Sequence, residues 1–316
     1  MVDGGIQYIP MEISSHAIKL HRVDDLDINI AVFTNLSVDH LDFHGNMENY
    51  FNTKLKLFKD LSNKSTAIIN GDDKYAIRII NDIKCNYMSY GFKDSNDLYI
   101  KSYSINIDWT EIIFQFKNEE FHLKTNLIGK FNIYNIMAAM LASYKSGLSI
   151  NNTIEALKNV KTVPGRFEQF KLKNNNHAIV DYAHTPDAFE NILSNIKNLT
   201  KKEIITIFGC GGNRDKSKRS RMGKIAEKYS DFIYITNDNP RFENENLIIE
   251  HIVSDLNKDN YTIIKNRKNA IQQACEKNKD VIIVILGKGR DDYQIKDNNK
   301  EYHSDIDTLK EYLNES

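Results

Sequence analysis

The segment "NLSVDHLDFHGNMENYFNTKLKLF" sets His40, Asp42, His44 and Lys54 close together in sequence. Two histidines four apart can hold zinc from one helix face, but the Glu of that motif is missing and Gly45 argues against a helix across them. The alternative is a pair of loop histidines satisfied by hydrogen bonds. In a helix over 47–60, Tyr50, Lys54, Leu57 and Phe58 share a face, so Lys54 either snorkels along apolar neighbours or is chemically altered. A second segment, "FGCGGNRDKSKR", joins an apolar run to a helical stretch, the arrangement whose backbone N–H groups cradle anions. It lacks the GK[ST] ending of a Walker loop, and Arg214 replaces the third glycine of the dinucleotide fingerprint, which leaves a nicotinamide enzyme as a weak rival. In "NDNPR", Arg241 offers a bidentate fork to a carboxylate, against the plainer reading of a turn at Asn239-Pro240 with a solvated arginine.

These residues need elements to hold them. In the second half, the apolar runs 178–182, 204–208, 232–236, 261–264 and 281–286 alternate with amphipathic stretches, which predicts a parallel sheet wrapped by helices. Ligands of such sheets lie at the carboxyl ends of the strands, and DYAHTPD, GCGGNRDKSKR, NDNPR and GKGRDD all follow a run directly. In the first half, 8–14, 28–35 and 66–70 read as strands, 97–128 as antiparallel hairpin material, and 131–147 and 151–160 as helices. Pro164-Gly165 is the natural hinge, so one domain is expected over 1–163 and another over 164–316.

The 316 residues suffice for two cores. Hydrophobic residues make up 41%, charged residues 27%, and the net charge is -1, which advertises neither a nucleic-acid surface nor an acidic tail. Cys85, Cys210 and Cys275 have no CxxC spacing and fit reduced thiols. No apolar run approaches the roughly 18 residues of a membrane helix, and no signal pattern opens the chain. A soluble, cytoplasmic protein without membrane or nucleic-acid partners is expected.

Eight motifs in order, MEISSHAIKLHR, the His40–Lys54 segment, IGKFNIYN, VPGRFE, VDYAHTPDA, FGCGGNRDKSKRSRMG, TNDNPR and GKGRDDYQ, resemble the central and carboxy-terminal domains of the Mur ligase family. The resemblance implies an α/β chain: an incomplete P-loop NTPase-like central domain followed by a Rossmann-like parallel C-terminal domain. It implies an ATP-dependent amide ligase of peptidoglycan synthesis, in which ATP phosphorylates the D-glutamate carboxylate of UDP-MurNAc-dipeptide and an incoming amine attacks the acyl phosphate. By similarity Glu12, His40 and a carbamylated Lys54 would ligate Mg²⁺, and these three carry the catalytic role. Ser14 and Arg22 would hold the UDP-sugar peptide, and Asn132, Asn135, Arg166 and Asp181 would hold ATP. Arg214, Asp238, Asn239, Pro240, Arg241, Gly287 and Asp291 would bind the incoming amino acid. On the resemblance, Arg241 would select meso-diaminopimelate over lysine because only the former carries a second carboxylate.

The chain departs from the family pattern at Leu20, where glutamine is usual, and at Arg290 and Asp291, where GKGHE is usual. Loss of one polar contact at Leu20 would weaken nucleotide-substrate binding by roughly 1 kcal/mol, and Asp291 reaches one methylene less far than Glu. The resemblance also places a uridine domain and a GTNGKT-type phosphate loop ahead of MEISSHA. On that reading the chain is a truncated form, inactive until a separately encoded N-terminal portion completes it. The alternative is a non-catalytic remnant or subunit that binds amino acid or nucleotide.

Overall fold

The computed structural model describes residues 5–160 and 162–314. The chain divides into two compact units, one of Met1–Tyr103, Glu111–Leu123 and Phe131–Lys158, the other of Ser104–Thr110, Lys124–Lys130 and Asn159–Ser316.

The elements of the first half are α1 (Ser15–Lys19), β1 (Ile30–Phe33), α2 (Leu41–His44), α3 (Met47–Lys59), β2 (Thr66–Asn70), α4 (Ala76–Asp82), β3 (Asn86–Gly91), β4 (Leu98–Ile105), β5 (Thr110–Phe116), β6 (Glu119–Thr125), α5 (Lys130–Lys145) and α6 (Ile150–Lys158). The sheet runs β1 to β6 in chain order. Its first three pairings are parallel, with Ile30 opposite Thr66, Thr66 opposite Asn86 and Tyr90 opposite Leu98. Helix α3 starts where Asn46 accepts a hydrogen bond from Asn49 N, a side-chain N-cap. It buries Tyr50, Phe51, Leu55 and Phe58 against Phe33, Ala67 and Ile69. The expected strands at 28–35 and 66–70, the helix at 47–60 and the hairpin material at 97–128 all find elements there.

The second half comprises β7 (Glu168–Lys171), β8 (His177–Asp181), α7 (Pro186–Leu199), β9 (Ile204–Phe208), α8 (Lys218–Tyr229), β10 (Phe232–Ile235), α9 (Glu245–Val253), β11 (Tyr261–Ile263), α10 (Arg267–Lys277), β12 (Ile282–Leu286), β13 (Tyr293–Lys296), β14 (Asn299–Tyr302) and α11 (Asp305–Asn314). The sheet order is β11-β10-β9-β12-β8-β7. Every pairing in it is parallel except that of the edge strand β7 with β8. The chain steps outward from β9 to β11 and returns to insert β12 beside β9. The resulting switch point sets the loops after β9, β10 and β12 at one end of the sheet, where open α/β sheets bind ligands. Strands β9 and β12 are buried at every residue, the mark of central strands covered on both faces.

Two expectations are corrected. Residues 8–14 form no strand: Tyr8, Ile9 and Met11 are all more than half exposed, and the segment pairs with no strand among the described residues. An apolar run becomes a strand only where a ladder partner takes its N–H and C=O groups, and sequence pattern carries no information about that partner. Residues 41–44, where Gly45 argues against helix, do form one turn, which Gly45 then ends with a positive φ of 79°. Glycine in the left-handed region stops a helix after its last residue and does not prevent a turn ahead of it.

Candidate functional site

In the first unit, the turn Leu41–His44 and helix α3 gather the metal-type residues. His16 from α1 stacks its ring 5.0 Å from that of His40 and 4.1 Å from that of Phe43. His44 is buried, bonds Ser15 Oγ through Nε2 at 2.9 Å and stacks on Tyr50 at 4.9 Å. Lys54 Nζ lies 5.4 Å from the centre of the Tyr50 ring. Burial pulls the Lys54 amine below the ordinary lysine range, against the upward pull of the Glu12 and Asp39 carboxylates. Burial likewise lowers His40, with Asp39 opposing.

No three His, Cys, Asp or Glu side chains converge as a ready metal set among the described residues. Glu12 supplies one hard oxygen and His40 a nitrogen; Lys54 joins them only as a carbamate, which exchanges a cation for carboxylate-like oxygens. The depressed amine suits that change, because only a neutral amine adds CO₂. On these donors the set fits magnesium. Ser14 caps α1, accepting from Ala17 N at 3.1 Å and keeping its own O–H free to donate. Arg22 and Leu20 are exposed. On α5, Asn135 Nδ2 donates to Asn132 Oδ1 at 3.2 Å, so the two amides share one helix face.

In the second unit, Asp181 is buried at the end of β8. It accepts from Phe167 N at 2.8 Å and Ala183 N at 2.7 Å. It thereby clamps the turn carrying Arg166, whose guanidinium lies 4.8 Å from the Tyr182 ring centre. Burial raises the Asp181 carboxyl, with those two amide bonds opposing. Gly165 has a φ of 69°, and a Cβ there would sit 2.1 Å from Arg290 N, so this turn abuts the loop after β12 closely.

The loops at the switch point interlock. Arg241 takes the left-handed region at φ 52° and donates from Nη1 to Gly212 O at 2.9 Å. Gly212 N donates in turn to Asn239 O at 2.9 Å. A Cβ at Gly211 would meet Arg241 Nη1 at 3.0 Å and Arg214 Cγ at 3.7 Å, so the glycine is the narrow space between the two arginines. Asp238, Asn239 and Pro240 are buried. Beneath them Lys288, fully buried, lies 3.8 Å from Asp238 Oδ1. Burial lowers its amine, and the Asp238 carboxylate pulls it back up. Gly287 has a φ of 113°, and a Cβ on it would meet Asp238 Oδ2 at 2.9 Å. Burial raises the Asp291 carboxyl, with Lys288 opposing.

Three supports of this loop cluster escaped the sequence reading. Gln294 Nε2 donates to Asp238 O at 2.7 Å and Asn237 O at 3.2 Å, and Ile295 N donates to Asn239 Oδ1 at 2.8 Å. The hairpin of β13 and β14 therefore props the Asp238–Arg241 loop from below. Its only sequence signal is a short alternation after GKGRDD. Arg219 and Glu243, each within or beside a motif, form a buried ion pair. Nothing local distinguishes them from surface charges.

Comparison with known proteins bears on both units. The profile described as "Mur ligase middle domain" matches residues 1–143 and "Mur ligase, glutamate ligase domain" matches 165–289. A UDP-N-acetylmuramoyl-L-alanyl-D-glutamate--2,6-diaminopimelate ligase of Clostridium botulinum is 41% identical over 320 residues, covering 100% of this chain and 65% of its own length. The ligase of that name from Clostridium perfringens is 44% identical over 307 residues, 93% of this chain and 62% of its own. The chain thus spans just under two thirds of the length of these relatives. A solved structure of a ligase with that name superposes with a TM-score of 0.66 at 28% identity, over 99% of this chain and 66% of its own. The MurF ligase of Thermotoga maritima in complex with ADP has a TM-score of 0.67 at 18% identity, over 94% of this chain and 64% of its own, and shows the shared fold alone.

Proposed function

The chain belongs to the Mur ligase family, and on that premise we propose that it serves the ATP-dependent addition of meso-diaminopimelate to UDP-N-acetylmuramoyl-L-alanyl-D-glutamate. The carrying observation is the Arg241 guanidinium held across Gly211 from Arg214. Two arginines on the loops flanking Gly211 suit an amino acid with carboxylates at both ends. Arg214 takes the α-carboxylate and Arg241 the distal one, while Asp291 receives the distal ammonium. Lysine fills the same space but leaves Arg241 without an anion. The domain boundary in this reading lies at 163/164.

Asn132 and Asn135 hold the adenine side of ATP, Arg166 and Asp181 its phosphate and ribose. Ser14 and Arg22 hold the nucleotide-sugar peptide so that its D-glutamate carboxylate faces the γ-phosphate. Glu12, His40 and a carbamylated Lys54 would hold magnesium, which would supply charge neutralisation for the transferring phosphoryl group. Lys54 forms the carbamate from its neutral amine and CO₂, releasing one proton. The amine of the incoming amino acid, oriented by Arg214 and Arg241, then displaces phosphate from the acyl phosphate and closes the amide. A cytoplasmic location goes with this reading; no described helix is long and apolar enough to cross a membrane.

Calorimetric titration with meso-diaminopimelate and with L-lysine tests the assignment. The former is expected to bind more tightly, and Arg241→Ala is expected to cost about 2–4 kcal/mol of that binding while leaving lysine little changed. Equal affinity of the unaltered protein for both amino acids would sink the reading.

A further inference from the structure

We propose that Arg219 and Glu243 are a positioning pair that sets amino-acid selectivity by tying together the loops that bear Arg214 and Arg241. The inference rests on the reading above that those arginines receive the incoming amino acid. Arg219 lies in the first turn of α8 and is fully buried. Its Nη1 and Nη2 donate to Glu243 Oε1 at 2.7 Å and Oε2 at 2.8 Å, the parallel fork that fixes direction as well as distance. The same guanidinium donates to Gly211 O at 3.2 Å, and its Nη1 lies 3.0 Å from His251 Nδ1.

Glu243 completes the stitch from the other side. Its Oε2 accepts from the N–H of Asn213, the residue before Arg214, at 3.1 Å. Asn213 Oδ1 accepts from the N–H of Phe242, the residue after Arg241, at 3.1 Å. Glu243 N donates to Pro240 O at 3.0 Å, which closes the turn that holds Arg241. One carboxylate thus sits two residues from one arginine of the site and bonds the backbone next to the other. No other ion-pair partner of Arg219 is found among the described residues, so loss of the carboxylate leaves a buried cation uncompensated.

Arg219 Nε is buried without a hydrogen-bond partner, so the guanidinium is held by its Nη atoms, which face Glu243 and Gly211. Both arginines of the site emerge from left-handed or glycine-rich backbone, at Asn213 (φ 52°) and Arg241 (φ 52°), where loops do not hold themselves in place.

The test uses the full-length protein and the variants Glu243→Gln, Glu243→Asp, Arg241→Ala and the double variant Glu243→Gln/Arg241→Ala. Titrations with meso-diaminopimelate, L-lysine and ATP are paired with hydrogen exchange at the Asn213 and Phe242 amides. Glu243→Gln is expected to weaken meso-diaminopimelate by about tenfold or more, lysine by clearly less because it loses only the α-carboxylate contact through Arg214, and ATP by less than about threefold, and to lose protection at both amides. Glu243→Asp, which keeps the charge, recovers part of the selectivity and guards against a variant that fails to fold. In the Arg241→Ala background Glu243→Gln adds no more than it costs lysine, because the part acting through Arg241 is already lost. An equal loss for both amino acids, or the full tenfold added in that background, overturns the proposal. Unchanged amide protection overturns the tether whatever the ligands do, whereas an unaltered protein that binds both amino acids equally overturns the reading it rests on, so the two failures are distinguishable.

Discussion

Lys54 is the residue whose chemistry is most constrained by its surroundings. It stands half-buried on α3 over the ring of Tyr50, with Glu12 and Asp39 near enough to act on its charge. Because burial lowers its pKa, the neutral amine appears at lower pH than for an ordinary lysine. Carbamylation should therefore rise with pH through that lowered value and respond to bicarbonate, observable as a ¹³C carbamate signal. In a reconstituted enzyme, Lys54→Ala should reduce turnover roughly 10²-fold or more, the scale of removing one preorganised charge-stabilising group, with partial rescue by a short carboxylate. Unimpaired turnover in that variant would remove Lys54 from the mechanism. The helical face shared by Tyr50, Lys54 and Phe58 was legible from period alone. The layering of His16, His40, Phe43, His44 and Tyr50 was not, since it joins α1 to a turn 25 residues later through ring packing that leaves no local pattern.

Among the elements, the hairpin of β13 and β14 matters beyond its size. It belongs to neither large sheet, yet Gln294 and Ile295 supply donors to Asn237, Asp238 and Asn239, at the start of the loop that carries Arg241. Backbone around Arg241 also joins it: Arg241 N donates to Ile295 O at 2.9 Å and Asp297 N to Arg241 O at 2.8 Å. Gln294→Ala removes the donor from two part-buried carbonyls and should cost about 1 kcal/mol of stability, with weaker meso-diaminopimelate binding and unchanged ATP binding. Chemical denaturation and calorimetry measure the two effects, and a variant with unchanged binding would show the loop to be self-supporting. The parallel strands of this unit were legible because each is a short apolar run followed by glycine or polar residues. The strand at 8–14 was misread for the complementary reason: its composition suits a sheet, but pairing depends on a neighbour elsewhere in the chain.

At the scale of the molecule, sensitivity to acid should be concentrated in the second unit. The Arg219 guanidinium and the Asn213 amide hold the Glu243 carboxyl down at about 2 from 4.5. The Arg267 guanidinium holds the buried Asp305 far below the carboxylate range, overcoming the opposing effect of its burial. A carboxyl with a depressed folded pKa contributes stability present above its unfolded pKa and lost as pH falls through the folded one. Unfolding of this unit should therefore weaken progressively in resistance below pH 4.5, and Asp305→Asn should cost about 3–5 kcal/mol at neutral pH by leaving Arg267 uncompensated. A thermal melt that is flat between pH 5 and 2.5 would contradict this. The sequence by itself determined the α/β class, the alternation of strands and helices in the second half, and the position of each chemistry-bearing loop just past a strand, because periodicity and turn residues are local properties of the chain. Tertiary structure alone decided that β12 inserts beside β9, that Arg241 and the stem of Arg214 both lie against Gly211, that Glu243 meets Arg219, and that Tyr8, Ile9 and Met11 lie exposed. Those outcomes depend on which distant segments bury each other's apolar faces and satisfy each other's charges, and that choice is settled only when the whole core forms.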